Sequence, residues 1–170
     1  GDAGSNGSQH GTAQRPFKTM TALLARLEAG GKLGSPSGGY NYGHVIHLLG
    51  NISEHLEMPL QVPNVRFIGW GNKPRHADTH PGNSEFSSMT WKSAGTASAL
   101  LTLRNPAVSF ENILFASHAS HPAVLMERNA IETAAGEYDS SHARFLGCRF
   151  ASGGYGIRDT GGTFNVDVLG

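Results

Sequence analysis

Nine histidines stand among 170 residues, and two groups of them have spacings that could hold a metal ion. The run His76-Ala77-Asp78-Thr79-His80 brings two imidazoles and a carboxylate within five residues, a donor set that suits a transition metal. His118 and His121 form a second close pair. Three chains, each giving one or two of these histidines, could share an ion on a threefold axis. Both groups fall in polar stretches where histidine is also a tolerated surface residue, so no cofactor is expected. Below about pH 6, protonation of the histidines would add positive charge to an otherwise balanced chain.

A second constellation is acidic and aromatic. Glu137, Tyr138 and Asp139 share one polar stretch, and Tyr155 and Asp159 follow shortly after. Tyrosine faces could stack on a sugar while the carboxylates take its hydroxyls. Glu132 and Asp167 widen the acidic set. Solvated loop charges are the plainer reading of the same residues.

The elements that must position these groups follow from composition and periodicity. Lys+Arg and Asp+Glu both number 13, so no bulk charge marks a nucleic-acid binder. Charged residues are only 15 % of the chain and glycine supplies 23, which fits an all-β or repeat protein with many tight turns. The single cysteine, Cys148, excludes an intrachain disulfide. No apolar run reaches 18 residues, so no membrane-spanning helix is expected. The chain opens on Gly-Asp-Ala-Gly without Met or a signal-like apolar segment, which suggests processing or excision from something longer.

Residues 1–15 are rich in Gly, Ser, Asn and Gln and read as a flexible arm before one domain over 16–170. Pro16 is placed to open a capping helix over about 17–29. Phe17, Met20, Leu23, Leu24 and Leu27 share one face of it, and Gly30-Gly31 stops it.

Beyond Gly43 the pattern changes to short β-runs with a shared grammar. Val65-Arg66-Phe67-Ile68-Gly69 overlays Val108-Ser109-Phe110-Glu111-Asn112, Ala143-Arg144-Phe145-Leu146-Gly147 and Val166-Asp167-Val168-Leu169-Gly170. A weaker copy is Ile46-His47-Leu48-Leu49-Gly50. The first and third residues of each copy point inward by strand alternation. The fifth is Gly or Asn, the residues that enter the left-handed backbone region at least cost, which suits a sharp corner. Inward residues then resume at Ile113 and Phe115, and at Cys148 and Phe150; Trp70, after Gly69, is expected inward on the same logic. Trp91 could be core or an exposed contact. Third strands are expected at Leu100–Leu103, Val124–Met126 and Tyr155–Ile157.

The unequal spacing of the copies is explained by polar insertions at corners, Gly71–Ser88 and Glu132–Ser141, which a solenoid tolerates. Strand, corner, strand and third strand, repeated, describe an all-β, right-handed parallel β-helix of three-strand coils. A β-sandwich would call for hairpin signals between strands, and the sole Asn-Gly is Asn6-Gly7 in the arm. The last coil reaches its first corner at Gly170, so the stack is expected to continue in further sequence or to abut a partner chain.

Over about residues 16–170 the chain resembles the pectin-lyase-like superfamily of right-handed β-helices. The residues that carry the resemblance are Pro16-Phe17-Lys18-Thr19, Val45–Leu49 and Val62-Pro63-Asn64-Val65-Arg66-Phe67-Ile68-Gly69-Trp70-Gly71. Phe110-Glu111-Asn112-Ile113-Leu114-Phe115, and Cys148-Arg149-Phe150 before Gly153-Gly154-Tyr155-Gly156-Ile157, are similar to coils of phage virion proteins. The resemblance implies a structural protein of a phage particle: a tailspike, fibre or capsid-attached module, typically a homotrimer, that meets other virion proteins and sometimes cell-surface polysaccharide. It also implies an alternative, a polysaccharide lyase or glycoside hydrolase or its carbohydrate-binding fragment.

The catalytic sets of those enzymes are not matched. The Arg-x-Pro-x-x-Arg stretch of the lyases is approached only by Arg104-Asn105-Pro106, which lacks the second Arg. Of the hydrolase motifs, Asn165-Val166-Asp167 echoes one, and the sole His-Gly is His10-Gly11 in the arm. The expectation therefore leans away from an enzyme, and no catalytic residue is assigned.

Overall fold

The structure is a computed structural model that describes residues 11–12, 14–29, 43–58, 65–70, 89–95, 98–104, 108–127, 143–151, 154–160 and 166–169. Among these lie one helix, α1 (Met20–Ala29), and thirteen strands. The strands are β1 (His44–Leu48), β2 (Ile52–Ser53), β3 (Leu56–Glu57), β4 (Val65–Gly69), β5 (Met89–Lys92), β6 (Leu101–Leu103), β7 (Ser109–Glu111), β8 (Ile113–Ala116), β9 (Val124–Met126), β10 (Arg144–Leu146), β11 (Arg149–Ala151), β12 (Ile157–Asp159) and β13 (Asp167–Leu169).

Every pairing between these strands is parallel, and the chain visits three sheets in strict rotation. The first sheet is ordered β1-β4-β7-β10-β13, the second β2-β5-β8-β11 and the third β3-β6-β9-β12. Three stacked parallel sheets, each receiving one strand per turn of chain, are consistent with a parallel β-helix of three-strand coils.

The core consists of columns of like residues, one per sheet position. Phe67, Phe110 and Phe145 share a register in the first sheet. Their rings stack with centroids 5.0 and 5.3 Å apart, close to the inter-strand spacing itself. Trp91, Phe115 and Phe150 form the second column, at 5.9 and 5.5 Å. The two columns meet edge to face, Phe110 against Phe115 and Phe145 against Phe150, an arrangement that aromatic quadrupoles favour. The third sheet adds Leu56, Leu101 and Val124 in register.

The corner between the first two columns is tight where no insertion intervenes. Asn112 (φ 54°) and Gly147 (φ 58°) both adopt the left-handed conformation that the sequence pattern requires there. Gly69 does not share that conformation. Its need for glycine comes from a close approach: a Cβ at this position would lie 2.4 Å from the Asn112 carbonyl oxygen. The same construction at Gly147 reaches Asn112 Oδ1 at 2.9 Å, so the three residues line one edge of the stack.

Two expectations change with this. Without a left-handed turn the alternation of β4 runs straight on, Val65, Phe67 and Gly69 inward, and Trp70 is carried outward, 71 % exposed. The first copy of the pattern is also displaced: Ile46 pairs with Phe67 and Leu48 with Gly69, two residues from the overlay that matched Gly50 to Gly69. A two-residue slip keeps every side chain on its face, so periodicity alone cannot detect it. The third strand of the fourth coil similarly begins at Ile157 rather than Tyr155.

Helix α1 covers the first coil with buried Met20 and Leu24, while Leu23 and Leu27 pack beside them. It starts at Met20, not after Pro16, because Thr19 caps it: the Ala22 amide donates to Thr19 Oγ1 at 3.2 Å. Glu54, between β2 and β3, reaches across to the same terminus. Its Oε1 accepts from the Met20 amide at 2.5 Å and its Oε2 from Thr21 Oγ1 at 3.0 Å. A carboxylate there also suits the positive end of the helix dipole. Changing Glu54 to Ala is expected to cost ~1–2 kcal/mol, read as a lower urea midpoint with helical ellipticity lost ahead of the β signal.

Candidate functional site

The outer surface of the stack carries ion pairs between successive coils. Arg66 and Glu111 pair in bidentate fashion at 2.6 and 2.7 Å. Arg104 binds Glu127 at 2.6 Å and stands 3.6 Å from Glu57, and Arg144 lies 3.3 Å from Asp167. The Glu127 hydrogen bond is the main reason that Arg104 holds its proton more tightly than usual. These groups satisfy one another across neighbouring strands and present no reactive atom.

The corner between the second and third sheets is different in kind. It gathers His55 from the first coil, Ser93 and Ser98 from the second, Ser117, His118 and His121 from the third, and Tyr155 from the fourth. Parallel pairing of Ser53 with Lys92 and of Leu56 with Leu101 places His55 beside Ser93, Ser98 and Ala99. His55 Nδ1 lies 2.9 Å from the Ala99 carbonyl oxygen and 3.1 Å from Ser98 Oγ. His55 Nε2 lies 3.1 Å from Ser93 Oγ. A carbonyl can only accept, so the Ala99 contact puts the ring proton on Nδ1 and leaves the Nε2 lone pair facing the Ser93 hydroxyl. That hydroxyl also reaches the Gly95 carbonyl oxygen, and the Gly95 amide donates to Ser93 Oγ at 3.2 Å. Both His55 and Ser93 are half-buried, and Ala94, Gly95 and Ser98 are exposed beside them.

Sequence reading missed this cluster. His55 and Ser93 are 38 residues apart and Ser98 is 43 from His55, so no local motif exists. The available signal was register: aligning second strands as well as first would have set Ser53 against Lys92.

Of the expected sugar-binding residues, Tyr155 stands just before β12 with its side chain 68 % exposed, while its carbonyl accepts the Ala123 amide. Asp159 ends β12 in register with Met126 and Leu103, so a core-facing column finishes in an exposed carboxylate. Glu137, Tyr138 and Asp139 lie outside the described residues, as do the proposed metal ligands His76, Asp78 and His80 and the insertions Gly71–Ser88 and Glu132–Ser141. His118 and His121 form a turn: the His121 amide donates to the His118 carbonyl, and the Ser120 amide to His118 Nδ1 at 3.3 Å, which occupies that lone pair. Among the described residues no three metal-ligating side chains converge.

Trp91, open in the sequence reading, is wholly buried and donates its indole N–H to the Glu54 carbonyl at 3.0 Å. Cys148 turns inward as expected, 3.4 Å from the Phe110 carbonyl oxygen. Burial pushes its thiol from 9.0 up to about 11. At pH 8 its thiolate population is then about a hundredfold below that of the unfolded chain, so Ellman's reagent is expected to label it slowly until urea is added. The unfolded thiol ionises first, so this group's stabilisation is intact below about pH 9 and falls away as pH rises toward about 11.

No family model, no curated protein and no solved structure matches the chain. The class stands on the fold: an all-β chain of three regularly stacked parallel sheets with a short N-terminal helix. No helix among the described residues is long and apolar enough to cross a membrane.

Proposed function

We propose that the chain is a structural module of a phage particle, part of a spike, fibre or capsid-attached protein, built as a right-handed β-helix of pectin-lyase-like type. It acts as a rigid scaffold located on the virion, assembles as a homotrimer with other virion proteins as neighbours, and presents its flanks to the surroundings. The observation that carries this reading is the unbroken parallel register from Ile46 through Phe67, Phe110 and Phe145 to Val168. Stacked rings at strand spacing resist bending and local opening, which suits a load-bearing spacer. The resemblance of the opening coil and of the Phe110 and Cys148 coils supplies the particle. Size-exclusion chromatography with light scattering tests it. The expected result is a protease-resistant species of three chain masses; a stable monomer without affinity for virion components would overturn the reading.

A second reading, recognition or cleavage of polysaccharide, draws on the exposed Tyr155 and Asp159 of the fourth coil. Titration with capsular and pectic polysaccharides checks it, with binding lost in Tyr155→Ala or new reducing ends lost in Asp159→Ala as the supporting outcomes.

A further inference from the structure

We propose that Ser93 and His55 form a nucleophile–base pair that takes acyl groups from short-chain carboxylic esters. The proposal is independent of the scaffold reading and rests on three observations. The first is distance: Ser93 Oγ and His55 Nε2 are 3.1 Å apart, within reach of proton transfer. The second is tautomer: the Ala99 carbonyl, 2.9 Å from Nδ1, holds the ring in the form whose Nε2 can accept, the role an orienting acceptor plays in Ser–His catalysis generally.

The third is an internal control. Ser117 occupies the position of Ser93 one coil later, since Lys92 pairs with Ala116 and each serine follows its strand. Ser117 Oγ donates to the His121 carbonyl at 3.0 Å, and among the described residues no imidazole nitrogen bonds to it. Ser93 Oγ rests on a carbonyl in the same way, that of Gly95, so closure of the corner is met at both serines and the imidazole at Ser93 is additional to it.

The chemistry balances without a further reactant except water. The Ser93 hydroxyl turns from the Gly95 carbonyl to Nε2, which takes its proton as Oγ bonds to the ester carbonyl carbon. The bond to the alcohol then breaks, and the alcohol leaves with that proton. Water, deprotonated by Nε2, attacks the acyl carbon, Oγ departs and recovers a proton, and the carboxylic acid is released. The corner lies on an open flank, with Gly95 and Ser98 exposed, so the substrate is an ester that projects from a larger molecule rather than one enclosed in a cavity.

The test uses the full chain with a fluorophosphonate probe and 4-nitrophenyl acetate, mapping adducts by peptide mass spectrometry. The expected result is a single adduct at Ser93, absent in Ser93→Ala, retained in Ser117→Ala, and formed roughly 10²–10⁴-fold more slowly in His55→Gln. Free imidazole should restore labelling of His55→Ala, which a merely structural histidine would not allow. Thermal melting of each variant separates lost reactivity from lost folding, and the wild-type adduct map requires no variant at all. No adduct, an adduct elsewhere, or equal rates with and without the His55 imidazole would each overturn the assignment.

Discussion

Replacing Phe110 with Ala is expected to remove about 3–5 kcal/mol of stability, the range for truncating a buried aromatic ring. Domains of this size are usually stable by only ~5–15 kcal/mol, so the variant should melt far earlier or fail to fold at ordinary temperature. Phe110 is fully buried, and it is the central ring of the stack. It lies between Phe67 at 5.0 Å and Phe145 at 5.3 Å and takes the Phe115 edge at 5.6 Å. In a stacked architecture each layer contacts only its neighbours, so a hole in the middle layer weakens the interfaces on both sides. The contrasting site is Val168, which continues the same column on β13 yet is 53 % exposed. Truncating it should cost a small fraction of the Phe110 loss. Urea denaturation of the two variants side by side decides the matter, and equal losses would mean that the columns do not carry the fold.

The second large effect is expected at Gly69. An added methyl there meets the Asn112 carbonyl oxygen at 2.4 Å, and that oxygen belongs to backbone held in a left-handed corner. Neither side can yield cheaply, so Gly69→Ala should cost at least the ~1–3 kcal/mol of ordinary overpacking. Gly50, its partner in the sequence overlay, has nothing within 4 Å of the same position and no unusual φ. Gly50→Ala should therefore be neutral or stabilising by up to ~1 kcal/mol. Midpoints for the pair separate the two reasons for a glycine: if both variants lose stability alike, the close approach at Gly69 is not what demands it.

Those two glycines mark the limit of what a pattern of residue types can convey. Alternation of apolar and polar residues named the inward positions Phe67, Phe110, Phe145, Ile113 and Phe115 correctly, because side-chain direction in a strand follows from local geometry. The Asn112 and Gly147 corners were readable for the same reason: a tight turn needs a left-handed residue, and few residue types accept it. Val124–Met126 emerged as a strand with the expected bounds. The direction of Trp70 depends on whether Gly69 turns the chain, and it does not: Gly69 is called for by a neighbouring carbonyl from another coil rather than by a left-handed turn.

The candidate site lay further out of reach. His55, Ser93 and Ala99 come together only because one coil settles on another in a particular register. Shifts of two residues look alike to periodicity, whereas a hydrogen bond tolerates barely half an ångström. The amphipathic face of the first helix was visible in its spacing, yet its start was set by Thr19 locally and by Glu54 from 34 residues away. Residue types along the chain thus established the sheet-stacking architecture and its core, since burial and backbone conformation act over a few residues. Packing of whole coils established which polar groups face one another, since that depends on contacts between segments far apart in the chain.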